Sequence, residues 1–264
     1  MKTIVLLFVF AIAIATSHGF DLDHGIDNNM DSPKLRSFSR NHYDYDITCS
    51  SWRLGVEANN IIRFKTIPAK CKDYIRNYLL GDQSRADIKA VLSEAYSYAK
   101  SLDIIKAGNY TWVFDIDETL LSNVEYYADR GFGTIPHNAT AFNKWIEKGK
   151  LPALPHSLKL YNKLLALDIK IAIITERPET QRKITVKNLR NVGYLKYDKI
   201  IFKDTTKGIY KGKTTLVYKS VERKKLEKEG FRIIGNIGDQ WSDILGTSRA
   251  VRSFKLPNPL FYVA

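Results

Sequence analysis

Tyr110-Thr111-Trp112-Val113-Phe114-Asp115-Ile116-Asp117-Glu118-Thr119-Leu120-Leu121 is the stretch whose reading decides the fold of this chain. Its aromatic and β-branched residues predict a buried strand, which runs directly into two carboxylates at alternate positions. Successive side chains of a strand face opposite ways, so Asp115 and Asp117 are expected on one side of its end. There they would repel unless a cation or a proton intervened. The pair is therefore a candidate for metal binding or acid/base chemistry. Read alone, Asp115 and Asp117 serve equally well as turn and cap residues before Leu120. The chain downstream decides between the two.

Beyond Leu121, the segment Ser122 to Leu167 carries Phe142, Trp145 and Ile146 at helical spacing, and a small cap is expected at about 122–156. Pro152 and Pro155 break the chain, and an amphipathic helix starts at Ser157. Ile169 to Ile174 is apolar except for Lys170 and ends in Thr175-Glu176-Arg177-Pro178. A helix from about Glu179 to Asn191, a strand at Lys199 to Phe202, a helix at Val221 to Glu229 and a strand at Phe231 to Gly235 follow. A last strand near Ala250 to Phe254 precedes a Pro-rich tail. Nearly continuous apolar strands belong in sheets covered on both faces. Alternating with helices, they predict an α/β fold, a doubly wound parallel sheet with right-handed crossovers.

Upstream, Lys2 and the apolar run Ile4 to Ala15, followed by small residues, read as a signal peptide over 1–19, cleaved after Ala15 or Gly19. Residues 20–48 lack either period and read as a loose arm. The main domain is then 49–264, with a helical region at 49–108 and the sheet core from 109. Helices are expected at Cys71 to Gly81 and from Ser84, where Asp87 completes a capping box, up to Gly108. No other stretch is apolar for long enough to span a bilayer. The expected locale is the secretory pathway, ending outside the cell or in a vacuole.

With 264 residues, 44% of them hydrophobic, the chain can bury a real core. A formal net charge of +13 attracts anions in general. The lysines are scattered and no nucleic-acid-binding motif accompanies them, which speaks against nucleic acid as a partner. The two cysteines, Cys49 and Cys71, are expected to pair in an oxidising compartment as a structural disulfide. Asn109-Tyr-Thr and Asn138-Ala-Thr are glycosylation sequons. Oligomeric state stays open, a homo-oligomer included.

In a parallel sheet the ligand site lies outside the carboxyl ends of the strands. Polar residues sit at three such ends: Asp115 and Asp117, Thr175 and Arg177, and Asp239 with Asp243 in Gly238-Asp239-Gln240-Trp241-Ser242-Asp243. Lys219 stands at the entrance to a helix. Thr175 alone reads as a cap, Lys219 as a solvated lysine and Asp239 as a turn residue, but their convergence on one crevice favours a site.

This set resembles the four motifs of the haloacid dehalogenase superfamily. More closely, Val113 to Asn123, Thr175 to Glu179, Tyr218-Lys219-Ser220 and Gly235 to Asp243 resemble the plant acid phosphatase and vegetative storage protein family, related to bacterial class B acid phosphatases. The resemblance runs from about Trp52 to the end of the chain. It implies that Asp115 is a nucleophile toward phosphorus, and that Asp117 protonates the leaving oxygen and then activates water. It further implies magnesium held by Asp115, the backbone carbonyl of Asp117 and Asp239, with Asp243 acting through water. Thr175 and Lys219 would hold phosphoryl oxygens, whereas Arg177 either binds substrate or pairs with Glu179 or another acid. The implied substrates are small phosphomonoesters. A dehalogenase needs no acid at Asp117, and a transport ATPase needs membrane helices. The remaining alternative is a storage protein with little catalysis; such members can lack the nucleophilic aspartate, which this chain keeps.

Overall fold

A computed structural model describes residues 47–105, 108–206 and 208–264. The expected signal peptide and nearly all of the expected arm lie outside the described residues. Five strands, β1 Tyr110–Phe114, β2 Lys170–Pro178, β3 Lys199–Lys203, β4 Arg232–Gly238 and β5 Arg252–Lys255, form one sheet in the order β3-β2-β1-β4-β5, every pair parallel. The doubly wound α/β expectation therefore holds, with β1 at the centre.

The strand's two-residue period sorts the core. Trp112, Phe114, Ile171 and Ile173 face the side covered by α3, Asp82–Ser101, and α6, Pro155–Ala166. Val113, Ala172 and Ile174 face the other side, against Tyr218 and Leu226 of α8, Thr215–Lys228. Both faces are dry, which is why the strands read as apolar runs without alternation. The Trp112 ring lies so close over β4 that a Cβ on Gly235 would meet it at 2.3 Å. Only glycine fits there.

A separate apolar cluster gathers α1, Cys49–Glu57, and α2, Lys72–Leu80, through Trp52, Val56, Cys71 and Ile75. It includes Tyr126 and Tyr127 of α4, Val124–Ala128, Phe132 and Leu260. Cys49 and Cys71 are joined in a disulfide across 22 residues, Cα–Cα 5.3 Å. Helix α5, Ala139–Glu147, follows α4 in the segment expected as a cap. Among the described residues, no helix is long and apolar enough to cross a membrane.

Three local expectations change. Helix α3 begins at Asp82, and Ser84 does not cap it: its hydroxyl donates to the Leu79 carbonyl, while Asp87 accepts from the Tyr78 hydroxyl. Helix α8 begins at Thr215 rather than Val221, because the Thr214 hydroxyl accepts the Val217 N–H. Lys219 thus projects from the second turn of a helix. Strand β1 stops at Phe114, so Asp115 and Asp117 do not share a strand face.

Candidate active site

The carboxyl ends of the central strands open on a cleft of about 430 Å³ whose lining includes Asp115, Asp117, Lys219, Asp239 and Asp243. Asp115 continues the alternation of β1 onto the Val113 side, toward α8, and its N–H donates to the Ile237 carbonyl of β4 at 3.1 Å. From α8, the Lys219 Nζ donates to Asp115 Oδ1 and to Asp243 Oδ1, each at 2.5 Å. The other Asp243 oxygen accepts the Gln240 N–H at 2.8 Å, closing a capping box on the short helix α9, Trp241–Ile244. A Cβ on Gly238 would strike this carboxylate at 2.3 Å, which accounts for the glycine before Asp239. Asp239 Oδ2 accepts from Gln240 Nε2 at 2.9 Å and Asn258 Nδ2 at 2.5 Å. Among the described residues no protein donor reaches Asp239 Oδ1 or Asp115 Oδ2. Carboxylate oxygens of Asp115, Asp239 and Asp243 lie within 4.8 Å of one another.

Burial pushes the Asp115 carboxyl well above its usual range; Lys219 pulls it down, while Asp243 and Asp239 push it further up. Burial and then Asp243 raise Asp239 to about 7, against the pull of its two amide hydrogen bonds. Burial alone would discharge Lys219, but Asp115 and Asp243 outweigh it and hold the ammonium charged. Three buried carboxylates thus face one lysine. That excess of negative charge, offered entirely on oxygen, fits a hard divalent cation.

Asp117 lies in the turn after β1, where the Ile116 carbonyl accepts the N–H groups of Thr119, Leu120 and Leu121 and Glu118 takes a positive φ of 53°. Its carboxylate receives Arg177 as a fork, Nη2 to Oδ1 at 2.7 Å and Nε to Oδ2 at 2.9 Å, plus Asn123 Nδ2 at 2.9 Å. Burial raises the Asp117 pKa, but Arg177 and Asn123 overcome it and the net shift is downward. Asn123 in turn accepts the indole N–H of Trp145 on α5 at 3.0 Å, tying Asp117 to the cap segment.

Arg177 is thereby committed to Asp117 and, through Nη1, to Thr185 at 3.0 Å, while Glu179 pairs with Arg182. Of the roles left open for Arg177, the geometry shows pairing with another acid; its side chain is 3% exposed and is not among the residues lining the cleft. Thr175 is fully buried at the end of β2, its hydroxyl oxygen accepting the Arg177 N–H at 3.1 Å and its carbonyl accepting the Tyr218 hydroxyl. Arg223 of α8, fully buried, donates to the carbonyls of Asp243, Leu245, Thr247 and Ser248 and so fixes the turn after Asp243.

Several cleft residues escaped the sequence reading. Glu176 lines the cleft, paired with Lys203 at 2.8 Å and bonded by the Thr215 hydroxyl. Gln240 lies inside a motif already singled out and was within reach. Asn258 sits in a tail that shows only its prolines. Tyr127, His137, Phe142, Phe261 and Tyr262 supply an aromatic wall from separate segments. Both sequon asparagines are exposed: Asn138 Oδ1 accepts the Ala141 N–H as the cap of α5, and Asn109 Oδ1 accepts from Lys170 Nζ.

A parallel sheet with acidic groups beyond β1 and β4, and a lysine reaching them from a flanking helix, is a haloacid dehalogenase-like hydrolase fold. More narrowly, the chain belongs to the HAD superfamily, subfamily IIIB (acid phosphatase), whose family model matches residues 34–264. It is 41% identical over 267 residues to Acid phosphatase 1 of Solanum lycopersicum, covering 100% of both chains. Over 217 residues it is 45% identical to Vegetative storage protein 1 of Arabidopsis thaliana, covering 81% of this chain and 78% of that one. Its fold is similar to the class C acid phosphatase from Bacillus anthracis, with a TM-score of 0.56 at 20% identity over 74% of this chain and 86% of that one.

Proposed function

We propose that the chain is an acid phosphatase that hydrolyses small phosphomonoesters through a covalent phosphoryl intermediate on Asp115. The observation that carries this reading is Lys219 held between Asp115 and Asp243 at the floor of the cleft. Lys219 steadies Asp115 through Oδ1 and leaves Oδ2 to attack phosphorus; the bond from phosphorus to the leaving oxygen then breaks. Lys219 also offsets charge on the phosphoryl oxygens, with Thr175 contributing its hydroxyl. Asp117 gives the leaving oxygen its proton and afterwards takes one from the water that hydrolyses the intermediate. Arg177 and Asn123 favour the ionised form of Asp117 in the resting site, so that proton arrives with the substrate. A phosphomonoester monoanion, abundant in acid, carries one.

Asp115, Asp239 and the backbone carbonyl of Asp117 would hold magnesium. Asp243, whose two oxygens are already engaged, acts by orienting Lys219 and through water. When bound, the cation neutralises substrate charge so that a carboxylate can approach.

The aromatic wall and modest cleft volume favour small organic esters over one deeply enclosed ligand. In this reading the domain is 49–264 with a small cap at 122–156. The protein enters the secretory pathway, carries glycan at Asn109 and Asn138, and stays in the lumen, vacuole or extracellular space.

The test is hydrolysis of a phosphomonoester panel with and without a chelator, paired with acid-quench mass analysis for phosphate on Asp115. Activity should vanish on exhaustive chelation and return with magnesium. Full activity without metal overturns the cation assignment. Inactivity toward the whole panel with magnesium present favours the storage reading, which the 45% identity to a vegetative storage protein keeps in play.

A further inference from the structure

The segment after β5 crosses back over the site and is wired into it. Asn258, 3% exposed, donates Nδ2 to Asp239 Oδ2 at 2.5 Å while its Oδ1 accepts the Leu260 N–H at 3.0 Å. Gln240 repeats the pattern: Nε2 donates to the same Asp239 oxygen at 2.9 Å, and Oε1 accepts the Val263 N–H at 3.0 Å. The Ala264 carbonyl then accepts the N–H groups of Thr215 and Leu216, at 2.7 and 3.3 Å, on the first turn of the helix that carries Lys219. Between these anchors, Phe261, Tyr262 and Val263 line the cleft, and Phe261 stacks on Tyr127 with ring centroids 5.4 Å apart.

An amide side chain is ambiguous until its oxygen is claimed, since rotation exchanges donor for acceptor. Here a backbone N–H of the segment claims the oxygen of each amide, which forces both NH₂ groups onto Asp239 Oδ2. The carboxylate plane is fixed and Oδ1 is left for another ligand. We propose that residues 256–264 form a strap that sets the Asp239 carboxylate for divalent-cation binding, with Asn258 and Gln240 as positioning residues, and that doubles as a wall for the leaving group. This rests on the phosphatase reading above. Outer partners of metal-binding carboxylates typically change affinity by 10- to 100-fold when removed.

The test is calorimetric titration of magnesium chloride alone, without substrate, into wild type, Asn258→Ala, Gln240→Met and a chain ending at Leu260, with near-ultraviolet circular dichroism as the fold control. Asn258→Ala and Gln240→Met should each bind magnesium roughly 10- to 100-fold more weakly. The shortened chain should also show a KM raised more for bulky aryl phosphates than for a small alkyl phosphate. Should Asn258→Ala fail the fold control, Gln240→Met carries the same measurement with a side chain of similar length. Wild-type magnesium affinity in the folded variants overturns the strap's role while leaving the phosphatase reading intact. Absence of magnesium binding in the wild type removes the cation assignment first, and the strap's role with it.

Discussion

The floor and the walls of the cleft are built by opposite means. The floor sets charge against charge: Lys219 between Asp115 and Asp243, Arg177 forked onto Asp117. The walls are aromatic and rest on the disulfide-linked cluster, with Phe142 edge-on to Tyr126, His137 against Phe142 and Phe261 stacked on Tyr127. A directional bond removed from the floor strands a buried charge, whereas a wall loses only area and shape. Floor changes should therefore be read in kcat and wall changes in KM.

The largest expected effect tests the floor. Asp117→Asn keeps shape but neither gives nor takes the proton, so kcat on an alkyl phosphate should fall by about 10²- to 10⁴-fold. With a leaving group that departs readily as an anion the first step suffers less than the second, and phosphoenzyme should accumulate on Asp115 in rapid-quench mass analysis. Arg177 loses its ionic partner in this variant, so thermal unfolding should also show destabilisation of roughly 3 kcal/mol. Unchanged turnover on the alkyl ester would strip Asp117 of its role.

The walls come next. Replacing Cys49 and Cys71 together by serine opens a bridge across 22 residues and should lower stability by about 3 kcal/mol in denaturant titration. If walls and floor are separable, KM should rise while kcat stays within a few-fold of wild type. A collapse of kcat in protein still folded at the assay temperature would show that the two regions are one unit.

The smallest effect concerns charge at the rim. Burial depresses the pKa of His137, so the fold favours the neutral ring and positive charge appears only as pH falls below the ordinary histidine value near 6.5. On acidification that charge should tighten substrate binding by on the order of 1 kcal/mol, roughly fivefold in KM. The same titration of His137→Gln should lack this component. Superimposable KM profiles would place His137 outside the reach of the phosphate.

How far the sequence could be read follows the same division. Strands covered on both faces leave continuous apolar runs, so the sheet and the residues at its carboxyl ends were legible. Helix α8 was half hidden, because it buries Lys219, Glu222 and Arg223 and exposes Val217 and Val221, which blurs the apolar period. The parting of Asp115 and Asp117 was not legible, since strand alternation says nothing about a turn that begins one residue after the strand. Pairing of Arg177 with Asp117 joins residues 60 apart and leaves no local trace. The wall was invisible for a related reason: its rings come from two distant stretches, 127–142 and 261–262, and share no spacing.

The strap also sets a timetable. A chain elongating at about 5 to 20 residues per second completes the Cys49–Cys71 loop early, when most of the sheet is still unmade. Strand β1 gains its neighbour β4 only once residues 232–238 have been translated, and Asp239 receives its amide from Asn258 later still. A nascent polypeptide therefore holds Asp115, Asp117, Lys219 and Asp239 before the strap can order them, and ribosomes stalled short of Asn258 should yield protein already oxidised yet weaker in magnesium binding than the full chain.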